Sequence, residues 1–165
     1  MSNYKFLLIA FLLFACLAIN GQDNSLTVTN EEGKVTKITA EEIGKLKRQS
    51  VKANDHGVSA NFEGVLLADI LQLGGVKFGE TMSGKRLALA LLVEAADKYQ
   101  VVFALSELDA GFTDKIILLA DKRDGQPLSE KEGNYRIISP DEKRQGRWVR
   151  QVVSFKVVNL ASTNK

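Results

Sequence analysis

The stretch QVVSFKVV, residues 151–158, alternates apolar and polar side chains in the way that a half-buried β-strand does. The predicted inner face carries Val153, Phe155 and Val157, and the outer face carries Ser154 and Lys156. A strand with this pattern packs one side against a core and leaves the other side to solvent. We therefore expect 151–158 to close a sheet at the edge of a globular core.

Working outward from this strand, β-branched or continuously apolar segments predict further strands. KIILLA, residues 115–120, is apolar throughout and is expected to be buried on both faces of its sheet. Asp124-Gly125 then predicts a tight reversal of the chain. The other predicted strands are 25–29, 35–39, 49–54, 85–96, the segment 97–105 that pairs with it, and 135–139.

Helical signals are fewer and shorter than the strand signals. Thr39 and Glu42 form a capping box, in which each side chain accepts from the other residue's backbone amide, and this predicts a helix over 40–47. Apolar residues at helical spacing predict a second helix over 65–75, ending at Gly74. Residues 55–64 are interpreted as a loop. The sum of about eight strands and two or three short helices predicts a mixed α/β (α+β), β-rich, single-domain fold.

The N-terminus predicts export. Lys5 precedes an apolar run over 6–19, which is shorter than the ~20 residues that a membrane-spanning helix needs. We predict a signal peptide over 1–22, an N-terminal segment over 23–34, a folded domain over 35–158 and a C-terminal tail over 159–165. The expected location is the periplasm or the outside of the cell, with no membrane association after cleavage. Lipidation at Cys16 is an alternative that its apolar neighbours disfavour.

Composition excludes several classes of function. The net charge is +2, and loss of the predicted signal removes only Lys5, which leaves about +1. That is too small for a protein that binds nucleic acid through many phosphate contacts. Because Cys16 is the only cysteine, the predicted mature domain has no disulfide, no thiolate nucleophile and no cysteine metal ligand.

A basic segment, SPDEKRQGRWVRQ over 139–151, is the first candidate site. It gathers four cations around a glycine and the only tryptophan: Lys143, Arg144, Gly146, Arg147, Trp148 and Arg150. The cations either solvate a turn or hold an anion, since guanidinium groups donate to phosphate in a fixed bidentate geometry. In strand geometry Arg147 and Arg150 lie on opposite faces, so both reach one ligand only if the chain bends near Gly146 or Arg147.

His56, the only histidine, is the second candidate. It lies in NDHGV, between Asp55 and Gly57, and is interpreted either as a ligand, base or cofactor contact or as a surface residue without a role. A zinc hydrolase built on His56 and nearby carboxylates is a weaker alternative, because zinc sites usually take three protein ligands.

Five ordered segments resemble one known family. They are FEGVLLADIL (62–71), EAADKYQVVFALSELD (94–109), ILLADKRDGQPL (117–128), EGNYRIISP (132–140) and RWVRQVVSFKV (147–157). The series resembles the molybdopterin-binding domain of the sulfite oxidase family, in particular its small exported single-domain relatives. The resemblance covers about residues 35–158 and implies a mixed, β-rich fold with a molybdenum cofactor in a cleft.

The same resemblance implies which residues hold the cofactor. Arg136 follows the Gly133 turn, and Arg147 and Arg150 stand where two cations bind the pterin and its phosphate, with His56 nearby. No catalytic residue and no metal ligand is assigned. Catalytic members carry a metal-ligating cysteine before the helix, and here SVKANDHG (50–57) places Ala53 at or near that position.

The departure at Ala53 leaves two functions open. One is an exported molybdopterin-binding oxidoreductase-type domain that lacks its usual ligand, served by a redox partner protein. The other is a non-catalytic periplasmic binding module for a small anionic or pterin-like ligand or for a partner protein.

Overall fold

Two five-stranded β-sheets form the protein, and the computed structural model describes them over residues 24–162. The predicted signal peptide at 1–22, with Lys5 and Cys16, and the last residues of the predicted tail lie outside the described residues. The first sheet contains β1 (Leu26–Thr29), β2 (Val35–Ile38), β5 (Leu89–Ala95), β6 (Gln100–Ala104) and β10 (Val152–Asn159). The second contains β3 (Arg48–Asp55), β4 (Val58–Leu66), β7 (Leu118–Arg123), β8 (Gln126–Pro127) and β9 (Arg136–Ile138).

Strand order places the first and the last described strands side by side. The strand order in the first sheet is β2-β1-β10-β5-β6. Strands β1 and β10 pair in parallel, and the other neighbouring strands of this sheet pair antiparallel. The second runs β3-β4-β7-β8, with β9 also paired to β7. Residues 26–29, from the predicted N-terminal segment, thus lie inside the first sheet.

Two short α-helices accompany the sheets in the described part of the chain. Helix α1 (Ala40–Gly44) begins at the predicted Thr39–Glu42 capping box, and its Thr39 backbone amide donates to Glu42 at 2.8 Å. Helix α2 (Leu67–Leu73) ends at Gly74, as predicted, and buries Leu67, Ile70 and Leu71. None of the helices between residues 24 and 162 has the length and apolar character that crossing a bilayer requires.

The core has two layers separated by the second sheet. A large cluster fills the space between the sheets and under α2, with Phe103, Phe155 and Leu119 among its members. A smaller cluster covers the other face of the second sheet and includes Phe62 and Trp148. Strand β7 contributes to both clusters, so the prediction of a strand buried on both faces is confirmed, although it begins at Leu118 and not at 115.

Three sequence predictions are wrong. Residues 85–88, predicted as the start of a strand, belong to a 3-10 helix, Gly84–Ala88, and β5 begins only at Leu89. Residues 58–64, predicted as loop, belong to β4, because His56 and Gly57 both adopt positive φ and form a two-residue hairpin turn. Val153 is 37% exposed and not buried, because an irregularity between Val152 and Ser154 shifts the register against β5. Val152 takes its place in the core.

Candidate functional site

A cleft of about 340 Å³ opens where turns from both sheets meet. The β3–β4 turn contributes His56, β9 contributes Arg136, and the segment before β10 contributes Trp148 and Arg150. The β5–β6 turn closes the cleft from the first sheet with Asp97 and Tyr99. Three of the four predicted site residues, His56, Arg136 and Arg150, therefore line one concavity.

Arg136 lies at the base of the cleft and is 1% exposed. Its Nη1 and Nη2 donate to the two Asp55 oxygens at 2.8 and 3.0 Å, and Nη1 also donates to Glu132 at 2.8 Å. Arg123 adds a second cation, with Nη1 3.1 Å from Asp55 and 3.7 Å from Glu132. The positive charges of two guanidinium groups and the negative charges of two carboxylates thus cancel beneath the cleft.

Aromatic rings enclose the Arg136 guanidinium. Its central carbon lies 5.5 Å from the centre of the Phe62 ring and 5.6 Å from that of Trp148. The two rings meet edge to face, with centroids 6.1 Å apart, and the Trp148 indole N–H donates to the Ser139 carbonyl at 2.9 Å. These cation–π contacts add to the ion pairs and fix the plane of the guanidinium. Arg136 Nε is buried and has no acceptor among residues 24–162.

The ion pairs hold both carboxylates in the charged form. Hydrogen bonds from Arg136 keep the pKa of Asp55 far below its ordinary value, although burial opposes the shift. Burial alone would raise the pKa of Glu132, but hydrogen bonds from Ser129 and Arg136 lower it overall. Neither carboxylate is a proton carrier near neutral pH.

His56 is oriented by the same network. Its Nδ1 lies 2.8 Å from Asp55 Oδ1, and its side chain is 68% exposed. When the imidazole is neutral, a proton on Nδ1 donates to Asp55 and leaves Nε2 as an acceptor; when it is charged, both nitrogens donate. A backbone φ of 54° places this histidine at a turn position where Asn or Gly is usual.

Arg147 lies away from the cleft. Its guanidinium stacks 4.2 Å from the Phe103 ring centre, donates to the Val102 carbonyl at 3.2 Å and pairs with Glu107 and Glu142 at 3.3 and 2.5 Å. The chain bends here, because Gln145–Arg147 form a short 3-10 helix and not a strand, and Arg147 faces β6 while Arg150 lines the cleft. Arg147 ties the basic segment to the edge of the first sheet.

Arg150 is the free cation of the cleft. Its side chain is exposed, and it makes no hydrogen bond or ion pair within the described part of the chain. Asp97, on the opposite rim, is partly committed, because one oxygen accepts from the Tyr99 amide at 2.9 Å. The Tyr99 hydroxyl donates to the Gly146 carbonyl at 2.7 Å and joins the two rims.

The residues do not fit a molybdenum ion. Ala53 pairs with Ala60 in the β3–β4 ladder, and its methyl group packs in the smaller apolar cluster, so it offers no donor where the family resemblance expects a thiolate. The Asp55 and Glu132 carboxylates are committed to arginines. No group of three potential metal ligands occurs among residues 24–162.

Sequence reasoning missed the partners of Arg136. Glu132 stands four residues before it, a spacing that could have suggested the pair. Asp55 is 81 residues away, and no sequence pattern links them. Asp97 and Tyr99 fall in the segment 97–105 that the sequence predicts as a strand, and they reach the cleft only through the pairing of β5 with β6.

Comparison with known proteins gives a fold. No protein-family model matches the chain, and no curated protein matches it. Among solved structures, the sulfane dehydrogenase SoxCD from Paracoccus pantotrophus matches with a TM-score of 0.64 at 18% identity. The match covers 84% of this chain and 39% of the SoxCD chain, so this protein spans about two fifths of the length of the SoxCD chain. The predicted β-rich α+β fold of the sulfite oxidase type is therefore confirmed.

Proposed function

We propose that the chain binds a small oxyanion, of the kind carried by the phosphate group of a pterin-like ligand, in the cleft between His56 and Arg150. The observation that carries this proposal is the uncommitted Arg150 guanidinium on a concavity that Arg136 also lines. Arg150 is an exposed cation without a partner in the described chain, and the buried Nε of Arg136 lacks an acceptor. A buried donor without a partner usually marks a bound water or ion.

The cleft carries no net charge, because the Arg123–Arg136–Asp55–Glu132 network is balanced and Arg150 and Asp97 add one charge of each sign. An anion is favoured over a cation because Asp97 already accepts from the Tyr99 amide, whereas Arg150 has no partner in the described chain. His56 can add a donor from the other wall when it is protonated. A planar guanidinium suits a phosphate oxygen pair, and Tyr99 and Trp148 offer ring surface beside it.

The proposed role is non-catalytic, and the chemistry of Ala53 supports it. The family's cofactor supplies oxo-transfer chemistry where a thiolate holds its metal, and an apolar methyl group occupies that place here. A second candidate is the molybdopterin-dependent oxidoreductase, which the resemblance and the SoxCD-like fold favour. We also propose that the protein is exported to the periplasm or out of the cell, on the basis of the predicted signal peptide over 1–22. A redox partner protein is proposed on the basis of the family resemblance.

We expect Arg150→Ala to weaken phosphate binding about tenfold or more, because a charge-assisted hydrogen bond contributes ~1.5–3 kcal/mol. Binding is measured by calorimetric titration of the purified protein with sodium phosphate at pH 7, with ionic strength held constant by sodium chloride. Arg144→Ala is the matched control, because it removes the same charge from an exposed position outside the cleft. Equal affinity in the two variants would refute the site.

We expect protein purified from a host that makes the molybdenum cofactor to carry no more molybdenum than an unrelated exported protein. The measurement is elemental analysis of the purified protein, with pterin fluorescence recorded after oxidation of the same sample. Pterin without molybdenum would identify the ligand as a pterin phosphate, and the absence of both would favour a free oxyanion. Molybdenum at one equivalent per chain would overturn the non-catalytic role and establish the second candidate.

A further inference from the structure

A second concavity, larger than the cleft, lies at the other end of the second sheet. This groove has a volume of about 620 Å³ and lies between α2, Phe78 and the loop 108–117. Gln49, near the start of β3, lines it, whereas His56 lines the cleft just beyond the end of the same strand. Asp55 lies six residues after Gln49 along the extended strand, which corresponds to a distance of about 20 Å. The groove and the cleft are therefore separate sites.

The groove has apolar walls and a preformed floor. Leu66, Phe78, Leu108 and Ile117 line it, and Ile116 reaches its rim with 36% of its surface exposed. Asp109 holds the two bordering loops together, accepting from the Gly79 amide at 2.7 Å and the Gly111 amide at 2.8 Å. A volume of this size, with walls that are mostly apolar by surface, is typical of sites for small organic molecules.

Asp69 is an uncommitted and partly buried carboxylate of the groove. It lies in the first turn of α2 and is half-buried, and its carboxylate makes no hydrogen bond or ion pair within the described residues. Burial raises the pKa of Asp69, while Lys47 nearby lowers it. Its position near a helix N-terminus favours the charged form, yet its side chain caps no backbone amide. A cationic donor inside the groove would satisfy it.

We infer that the groove binds an organic amine whose ammonium group donates to Asp69 and whose apolar body packs between Phe78, Leu66 and Ile117. Charge excludes an anion, because Asp69, Asp109 and Asp114 line the groove against one lysine, Lys115. A bound metal ion is a poor match, because no three potential ligands converge in the described chain. This inference is independent of the proposed function, which concerns an anion at the other end of β3.

The test compares three ligands with the same ring and different charge: 2-phenylethylamine, 2-phenylethanol and phenylacetate. Binding is followed by amide chemical shifts of the purified protein, and we expect the amine to bind most tightly, with shifts confined to α2 and loop 108–117. Asp69→Asn should weaken amine binding about tenfold, as the loss of one charge-assisted contact, and leave the alcohol unchanged. Asp114→Asn, which removes an exposed carboxylate from the same rim, should change amine binding less than about twofold.

Three outcomes would overturn the inference. They are equal affinity for the amine and phenylacetate, equal effects of Asp69→Asn and Asp114→Asn, and no binding of any of the three ligands at millimolar concentration. A thermal melt of each variant separates lost binding from lost folding. Arg150→Ala should leave amine binding unchanged, so failure of the phosphate experiment and failure of this one are distinguishable.

Discussion

Replacing Arg136 with Met is expected to lower the free energy of unfolding by about 3–5 kcal/mol, the usual effect of removing one partner from a buried ion pair. Met fills most of the volume between Phe62 and Trp148, so the effect reports on charge more than on a cavity. Without Arg136, the guanidinium left to Asp55 and Glu132 is the more distant Arg123, and the contacts of Asp55 with His56 and of Glu132 with Ser129 do not replace the lost charge. Urea unfolding at pH 7, followed by far-ultraviolet circular dichroism, measures the loss.

A double variant is the control for this prediction. Asp55→Asn combined with Arg136→Met removes one charge of each sign and leaves Arg123 facing Glu132 at 3.7 Å. We expect the double variant to be more stable than Arg136→Met alone, because no excess buried charge is left. If the double variant is less stable than the parent by the sum of the two single effects, the proposed coupling between the two residues is absent.

Acid sensitivity gives a second readout of the same network. The folded-state pKa values of Asp55 and Glu132 are lowered, so the stability they contribute is present above their unfolded pKa values, near 4, and is lost as the pH falls through their folded values. The parent protein should therefore lose stability steadily below about pH 5. In Arg136→Met this loss should shrink, because the partner that lowers both pKa values is gone.

Replacing Gly64 with Ala is expected to destabilise the protein by about 3 kcal/mol, at the upper end of ordinary overpacking effects. A Cβ atom on Gly64 would lie 2.1 Å from the Leu119 carbonyl oxygen and 2.6 Å from the Ala120 Cα. Both atoms are backbone atoms of β7, so no side-chain rotation relieves the contact. The register between β4 and β7 shifts at Glu63–Gly64, and the close approach of the two strands depends on that irregularity. Urea unfolding measures this change as well.

Gly44→Ala is the matched control for Gly64→Ala. No atom lies within 4 Å of a Cβ placed on Gly44, and its φ is not positive, so the added methyl group meets open space. Gly44 is the last residue of α1, where Ala is at least as favourable as Gly. We expect the stability of Gly44→Ala to match or slightly exceed that of the parent. If Gly64→Ala were equally well tolerated, β4 and β7 would not approach as closely as described.

Local patterns predicted those elements that local interactions specify. The capping box at Thr39 and Glu42 and the end of α2 at Gly74 depend on residues within a few positions, and both are confirmed. The apolar run 115–120 correctly indicated a strand with two buried faces. The sequence-based prediction failed at the His56–Gly57 turn and at Val153. At both places a local irregularity interrupts the strand, whereas a period-two pattern assumes an uninterrupted ladder.

By itself, the sequence determined the fold class and the lack of a thiolate near Ala53, because composition and side-chain period are properties of the chain alone. Only the tertiary structure decided which cations share a cleft. Arg150 stays free while Arg136 is neutralised by Asp55 from 81 residues away and Arg147 turns to the edge of β6. The physical reason is that ionic attraction acts through space, so the charge available to a ligand depends on which strands the fold brings together.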